Sequence, residues 1–85
     1  MIENRTFYLY TSPQCNFCDK AKQLLEKKGL KFIVMELSRE HDTLIRLKEE
    51  MKWNTVPMVF EMEGRDKKFI GGYTDLLEYL EDKNE

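Results

Sequence analysis

Thr6-Phe7-Tyr8-Leu9-Tyr10-Thr11-Ser12-Pro13-Gln14-Cys15-Asn16-Phe17-Cys18 is the stretch from which the fold is read. Thr6 to Tyr10 is rich in aromatic and β-branched residues and reads as a strand. Thr11-Ser12-Pro13-Gln14 breaks that strand. From Cys15 to Lys28 the apolar residues Phe17, Cys18, Ala21, Leu24 and Leu25 recur at helical spacing. Lys27 and Lys28 fall in the last turn, and Gly29 supplies the stop. A strand is thus followed, after a short break, by a helix that opens on a Cys-x-x-Cys pair.

Outward from this stretch, Lys31 to Leu37 reads as a second strand. Its apolar centre predicts burial on both faces, as in a parallel pair. Residues 40–51 form a second helix, with Leu44, Leu47, Lys48 and Met51 along one side and Ser38 or Asp42 as its cap. Met58 to Met62 is a third strand, Glu63-Gly64-Arg65-Asp66 a turn, and Lys67 to Ile70 a fourth strand, together an antiparallel hairpin. Gly71-Gly72 breaks the chain again. Thr74 or Asp75 then caps a final amphipathic helix carrying Leu76, Leu77, Tyr79 and Leu80, and the polar tail Glu81 to Glu85 is expected to fray. The order is β-α-β-α-β-β-α. Strands joined through a helix are parallel and right-handed, so the hairpin completes a four-stranded mixed sheet with helices on both faces, an α/β fold. At 85 residues the chain has room for one modest core, and residues 1–85 are expected to form a single domain.

Composition narrows the function classes. Hydrophobic residues make up 41% and charged residues 35%, and 14 basic against 16 acidic residues leave a net charge of −2. With no basic run, nucleic-acid binding is not expected. The apolar run Phe32-Ile33-Val34-Met35 is far too short to span a bilayer. Met1-Ile2-Glu3-Asn4-Arg5 lacks the pattern of a signal peptide, so the expected location is the cytoplasm, where thiols stay reduced. A structural staple is then a poor account of Cys15 and Cys18, since a bridge over so short a loop contributes only roughly 2 kcal/mol. Zinc wants four ligands, and this chain offers its 2 cysteines and the distant His41, so no metal is expected. His41 reads as a solvated polar residue.

The chemistry of the pair follows from its place. Residues three apart on a helix have Cβ atoms about 5–6 Å apart, and a disulfide tolerates Cα separations of roughly 4.4–6.8 Å. Cys15, at the helix N-terminus, sits among unpaired N–H groups and the positive end of the helix dipole, which should depress its pKa. Cys18 lies a turn deeper, on the apolar side with Ala21 and Leu25. Cys15 is therefore the expected nucleophile and Cys18 the resolving thiol.

Thr55-Val56-Pro57 alone reads as a strand-edge proline, and Gly71-Gly72-Tyr73-Thr74-Asp75 alone as a turn and cap. Together with Ser12-Pro13-Gln14-Cys15-Asn16-Phe17-Cys18, in this order and spacing, they resemble the glutaredoxin family over about Thr6 to Leu80. The resemblance implies the thioredoxin-like fold. It implies a cis Pro57 that turns the Val56 backbone toward Cys15, where an extended cysteinyl substrate adds as a strand. It implies glutathione as the partner thiol, its γ-glutamyl carboxylate at the helix start near Gly72, Thr74 and Asp75, its amine on the Asp75 carboxylate, and Tyr73 and Phe17 beside the groove. Phe17 stands where the family usually has tyrosine, and a packing role is an equal alternative. Clients implied are disulfide-bearing or glutathionylated proteins, with ribonucleotide reductase among them. The chain departs from the family where Asn16 replaces a frequent proline and Ser12 a frequent Lys or Arg. The second departure leaves the glycyl carboxylate without its usual holder, for which Lys48 or Lys52 are the candidates. Trp53, just before Thr55, reads as packing against the second helix, with a place in the groove lining as the alternative. Two rivals stand beside this reading: a redoxin reduced by thioredoxin reductase, and a carrier of an iron–sulfur cluster held by two subunits and two glutathiones.

Overall fold

The computed structural model describes residues 5–83. The elements are β1 (Arg5–Thr11), α1 (Asn16–Lys27), β2 (Phe32–Glu36), α2 (Asp42–Met51), β3 (Met58–Glu63), β4 (Asp66–Gly71) and α3 (Tyr73–Lys83). The sheet order is β2-β1-β3-β4. β1 and β2 pair in parallel, with Phe7 opposite Phe32 and Leu9 opposite Val34. β3 runs antiparallel to both β1 and β4. The expected mixed sheet is therefore present.

Alternation along the strands splits the core into two layers. Phe7, Leu9 and Val59 face one side, where they pack with Ala21 and Leu25 of α1 and Leu76 and Leu80 of α3. Met58 and Phe60 face the other side, where Leu44 of α2 covers them with Leu47 and Met51 at its margin. Each fully buried Leu or Phe contributes about 1.5–3 kcal/mol of transfer free energy, so these two layers hold the helices to the sheet.

Three local expectations are corrected. First, β2 is not buried on both faces. It is an edge strand, the single helix α2 covers the centre of its face of the sheet, and Ile33 stays 44% exposed. Second, neither Ser38 nor Asp42 caps α2. Asp42 is already helical, and His41 takes the cap, its Nδ1 accepting from the Thr43 N–H at 3.1 Å. His41 is thus an exposed side chain with a capping bond. Third, Glu81 to Lys83 continue α3, because Leu80 still anchors that helix in the core; residues 84–85 lie outside the described residues. α1 ends as expected, with Gly29 at φ +70° and the Leu30 N–H reaching the Leu25 carbonyl at 3.0 Å.

At the Arg5–Glu63 end of the sheet lies a polar cluster. Glu61, 4% exposed, accepts from Arg5 Nε at 2.6 Å and from the Tyr79 hydroxyl. The cysteine pair lies at the opposite end, beyond the Tyr10–Met58 pairing. No described helix is long and apolar enough to cross a membrane.

Candidate active site

Cys15 is the N-cap of α1, not its first helical residue, with φ −120° and ψ 106°. Gln14 turns the chain into it at φ +58°. The Cys15 carbonyl accepts from the Asp19 N–H at 3.2 Å. Its Sγ accepts from the Cys18 N–H at 3.1 Å, the place a capping oxygen normally fills. Cys15 and Cys18 are joined as a disulfide with Cα atoms 5.2 Å apart. Cys15 is half-buried at the surface, whereas Cys18 is 2% exposed, beside Ala21 and Leu25 on the buried side of α1.

The Val56–Pro57 peptide is cis. The Val56 carbonyl oxygen lies 3.8 Å from Cys15 Sγ. A bridging sulfur has no proton to donate, so this is a contact and not a hydrogen bond. It places the backbone before β3 directly against the sulfur.

The start of α3 completes the site. Its cap is neither Thr74 nor Asp75. The Gly72 carbonyl accepts the Leu76 N–H at 2.9 Å, and Asp75, one turn inside, reaches back to accept the Gly72 N–H at 3.0 Å. Acting from the third helical position satisfies one donor at the helix start and leaves the other carboxylate oxygen without a bond to Gly72. Gly71 makes room for this: at φ +127°, a Cβ there would lie 2.6 Å from Asp75 Oδ2.

Two cavities meet at Phe17, Thr55 and Val56, which line both, and Cys15 lines one of them. The smaller, about 230 Å³, is closed by Trp53, Pro57, Gly72, Tyr73, Thr74 and Asp75. Its aromatic wall is Phe17 stacked on Tyr73 at 6.2 Å between ring centroids, with Phe17 55% exposed. The larger, about 380 Å³, is lined by Cys15 itself with Ser12, Asn16, Arg39, Lys48 and Asn54. The candidate residues named from sequence thus converge, apart from Cys18, which lines neither cavity. Lys48 lines the larger one and Lys52 neither; Lys52 instead ends α2 at φ +54°. Trp53 packs edge-on against Phe69 of β4 at 5.3 Å as well as bordering the smaller cavity. Arg39 and Asn54 were not foreseen. They stand in loops, and no local pattern marks them.

Residues 8–65 match the family model for glutaredoxin. Over 73 residues the chain is 44% identical to the hybrid peroxiredoxin hyPrx5 of Haemophilus influenzae, covering 85% of this chain but 28% of that protein. It is 33% identical over 79 residues to glutaredoxin 1 of Rickettsia typhi, covering 91% of this chain and 72% of that one. Among solved structures, glutaredoxin 1 of Francisella tularensis, crystallised with cacodylate, superposes with a TM-score of 0.73 at 26% identity, covering 93% of this chain and 94% of that one. The fold is the thioredoxin-like one.

Proposed function

The chain belongs to the glutaredoxin family of thiol–disulfide oxidoreductases, and we propose that it works with glutathione, reducing protein disulfides and protein–glutathione mixed disulfides through Cys15 and Cys18. The observation that carries this reading is the placement of Cys15 Sγ: on the Cys18 N–H at the start of α1, and in the lining of the larger cavity. In the dithiol state that N–H and the helix dipole favour a thiolate.

The Cys15 thiolate attacks one sulfur of the substrate disulfide and the other leaves as a thiolate. The Cys18 thiolate then attacks Cys15 Sγ, releases the second substrate thiol and closes the Cys15–Cys18 disulfide. Two glutathiones return the electron pair and leave as glutathione disulfide. Glutathione lies with its γ-glutamyl end at Tyr73, Thr74 and Asp75, pairs with Val56, and extends its glycyl carboxylate toward Lys48 and Arg39. The contrast between the two cavities supports this pose, since Asp75 is the charged residue lining one and Arg39 and Lys48 are those lining the other. The work is proposed to take place in the cytoplasm.

The test supplies NADPH with either glutathione and glutathione reductase or thioredoxin reductase. Turnover of a glutathionylated peptide is expected with the glutathione pair. Turnover with thioredoxin reductase alone contradicts the glutathione link.

Ribonucleotide reductase is one proposed client. The 44% identity to part of a hybrid peroxiredoxin favours a second, a peroxiredoxin acting on a peroxide and rereduced by this chain. Faster rereduction of an oxidised peroxiredoxin than of an unrelated disulfide protein is the expected result.

A further inference from the structure

We propose that the cavity lined by Ser12, Arg39, Lys48 and Asn54 selects protein clients that carry a carboxylate side chain next to the reactive cysteine. This rests on Cys15 as the attacking thiol.

Three observations converge on this cavity. Its charged residues are two cations, Arg39 and Lys48, with no acidic residue among those lining it. It lies at the start of α1, where unpaired N–H groups and the helix dipole favour an anion. Ser12, 3% exposed, also lines it, and its Oγ is buried without a hydrogen-bond partner. Leaving a buried hydroxyl unpaired is unfavourable, and a carboxylate oxygen entering the cavity relieves this by accepting a hydrogen bond from it.

Position makes the occupant part of a client. Thr55 and Val56 line both cavities, so a client strand that adds along Val56, with its cysteine at Cys15, crosses the mouth of this one. A neighbouring side chain then turns into it. Aspartate or glutamate there meets Lys48 and Arg39; lysine meets like charge. The chemistry is unchanged: Cys15 attacks the client sulfur, the other half of the disulfide leaves as a thiolate, and Cys18 displaces the client thiolate as the Cys15–Cys18 disulfide closes.

The test is a single turnover of prereduced protein on disulfides between 2-mercaptoethanol and short cysteine peptides that differ only in Glu, Gln or Lys beside the cysteine. Each rate is divided by that of dithiothreitol on the same peptide. The neutral bis(2-hydroxyethyl) disulfide serves as a reference substrate. Wild-type protein is expected to favour the Glu over the Lys peptide by about tenfold, with the preference shrinking as salt rises. Lys48→Glu erases or inverts the preference and Lys48→Arg keeps it. Equal normalised rates in wild type, a preference insensitive to salt, or one that survives Lys48→Glu overturns the proposal. Failure on the neutral disulfide overturns the assignment of Cys15 itself; reduction of it without a peptide preference overturns only the selection.

Discussion

The Cys18 backbone N–H donates to Cys15 Sγ across 3.1 Å, so one residue of the pair solvates the sulfur of the other. Once the disulfide is reduced, this bond and the helix dipole favour charge on Cys15, while Cys18 is buried at 2% exposure. Iodoacetamide near neutral pH is expected to label Cys15 of the reduced protein well ahead of Cys18. Mass spectrometry of the labelled peptides reads the order, and faster labelling of Cys18 contradicts it.

Asp75 has two jobs that substitution separates. Its Oδ2 holds the Gly72 N–H at 3.0 Å, and its charge is proposed to meet the γ-glutamyl amine. Asp75→Asn keeps an acceptor for Gly72, so stability is expected to change little while KM for glutathione rises. Asp75→Ala loses both, costing about 1 kcal/mol, or a fall in Tm of roughly 4–8 °C, along with the same rise in KM.

Lys48 and Lys52 differ in the same way. Lys52 holds a left-handed φ of +54° at the end of α2 and lines neither cavity. Lys52→Gly relieves that conformation and is expected to stabilise the protein by about 0.5–1 kcal/mol in urea titration, with KM for glutathione unchanged. Lys48→Gln is expected to raise KM about fivefold, the worth of a partly exposed ion pair.

The order was legible in Thr6 to Leu25 because both signals were local: the aromatic and β-branched run of β1, then the Cys18, Ala21 and Leu25 stripe of α1. What escaped depended on partners. Nothing in Phe32-Ile33-Val34-Met35 says that β2 lies at the sheet edge, because strand order is set by packing elsewhere in the chain. Nor does Gly72-Tyr73-Thr74-Asp75 reveal that Asp75 would reach back instead of capping, since that depends on the φ of +127° at Gly71 that clears its path. The cysteines and both signature segments could be read from sequence. The cation of the larger cavity could be narrowed only to Lys48 or Lys52, and Arg39 was missed, because the sheet brings residues 12, 39, 48 and 54 together from separate segments.

Tyr79 gives the fold a pH signature. Burial, and then its bond to Glu61, pushes its hydroxyl from the ordinary 10 up to about 12. A folded pKa above the unfolded one means a stabilisation fully present below pH 10 and lost as pH rises toward about 12. Urea midpoints are expected to fall across that window in wild type, and by less in Tyr79→Phe. At neutral pH the substitution costs about 1–2 kcal/mol, because buried Glu61 loses a donor. Tyr79 is remote from Cys15, and turnover is expected to persist.

The central claim is the division of labour between Cys15 and Cys18, and glutathione-coupled turnover of the two serine variants tests it most directly. Cys18→Ser is expected to keep reducing a glutathionylated peptide, because glutathione resolves the mixed disulfide on Cys15, and to lose most reduction of a protein disulfide. Cys15→Ser is expected to lose both. Activity retained by Cys15→Ser on either substrate would contradict the account.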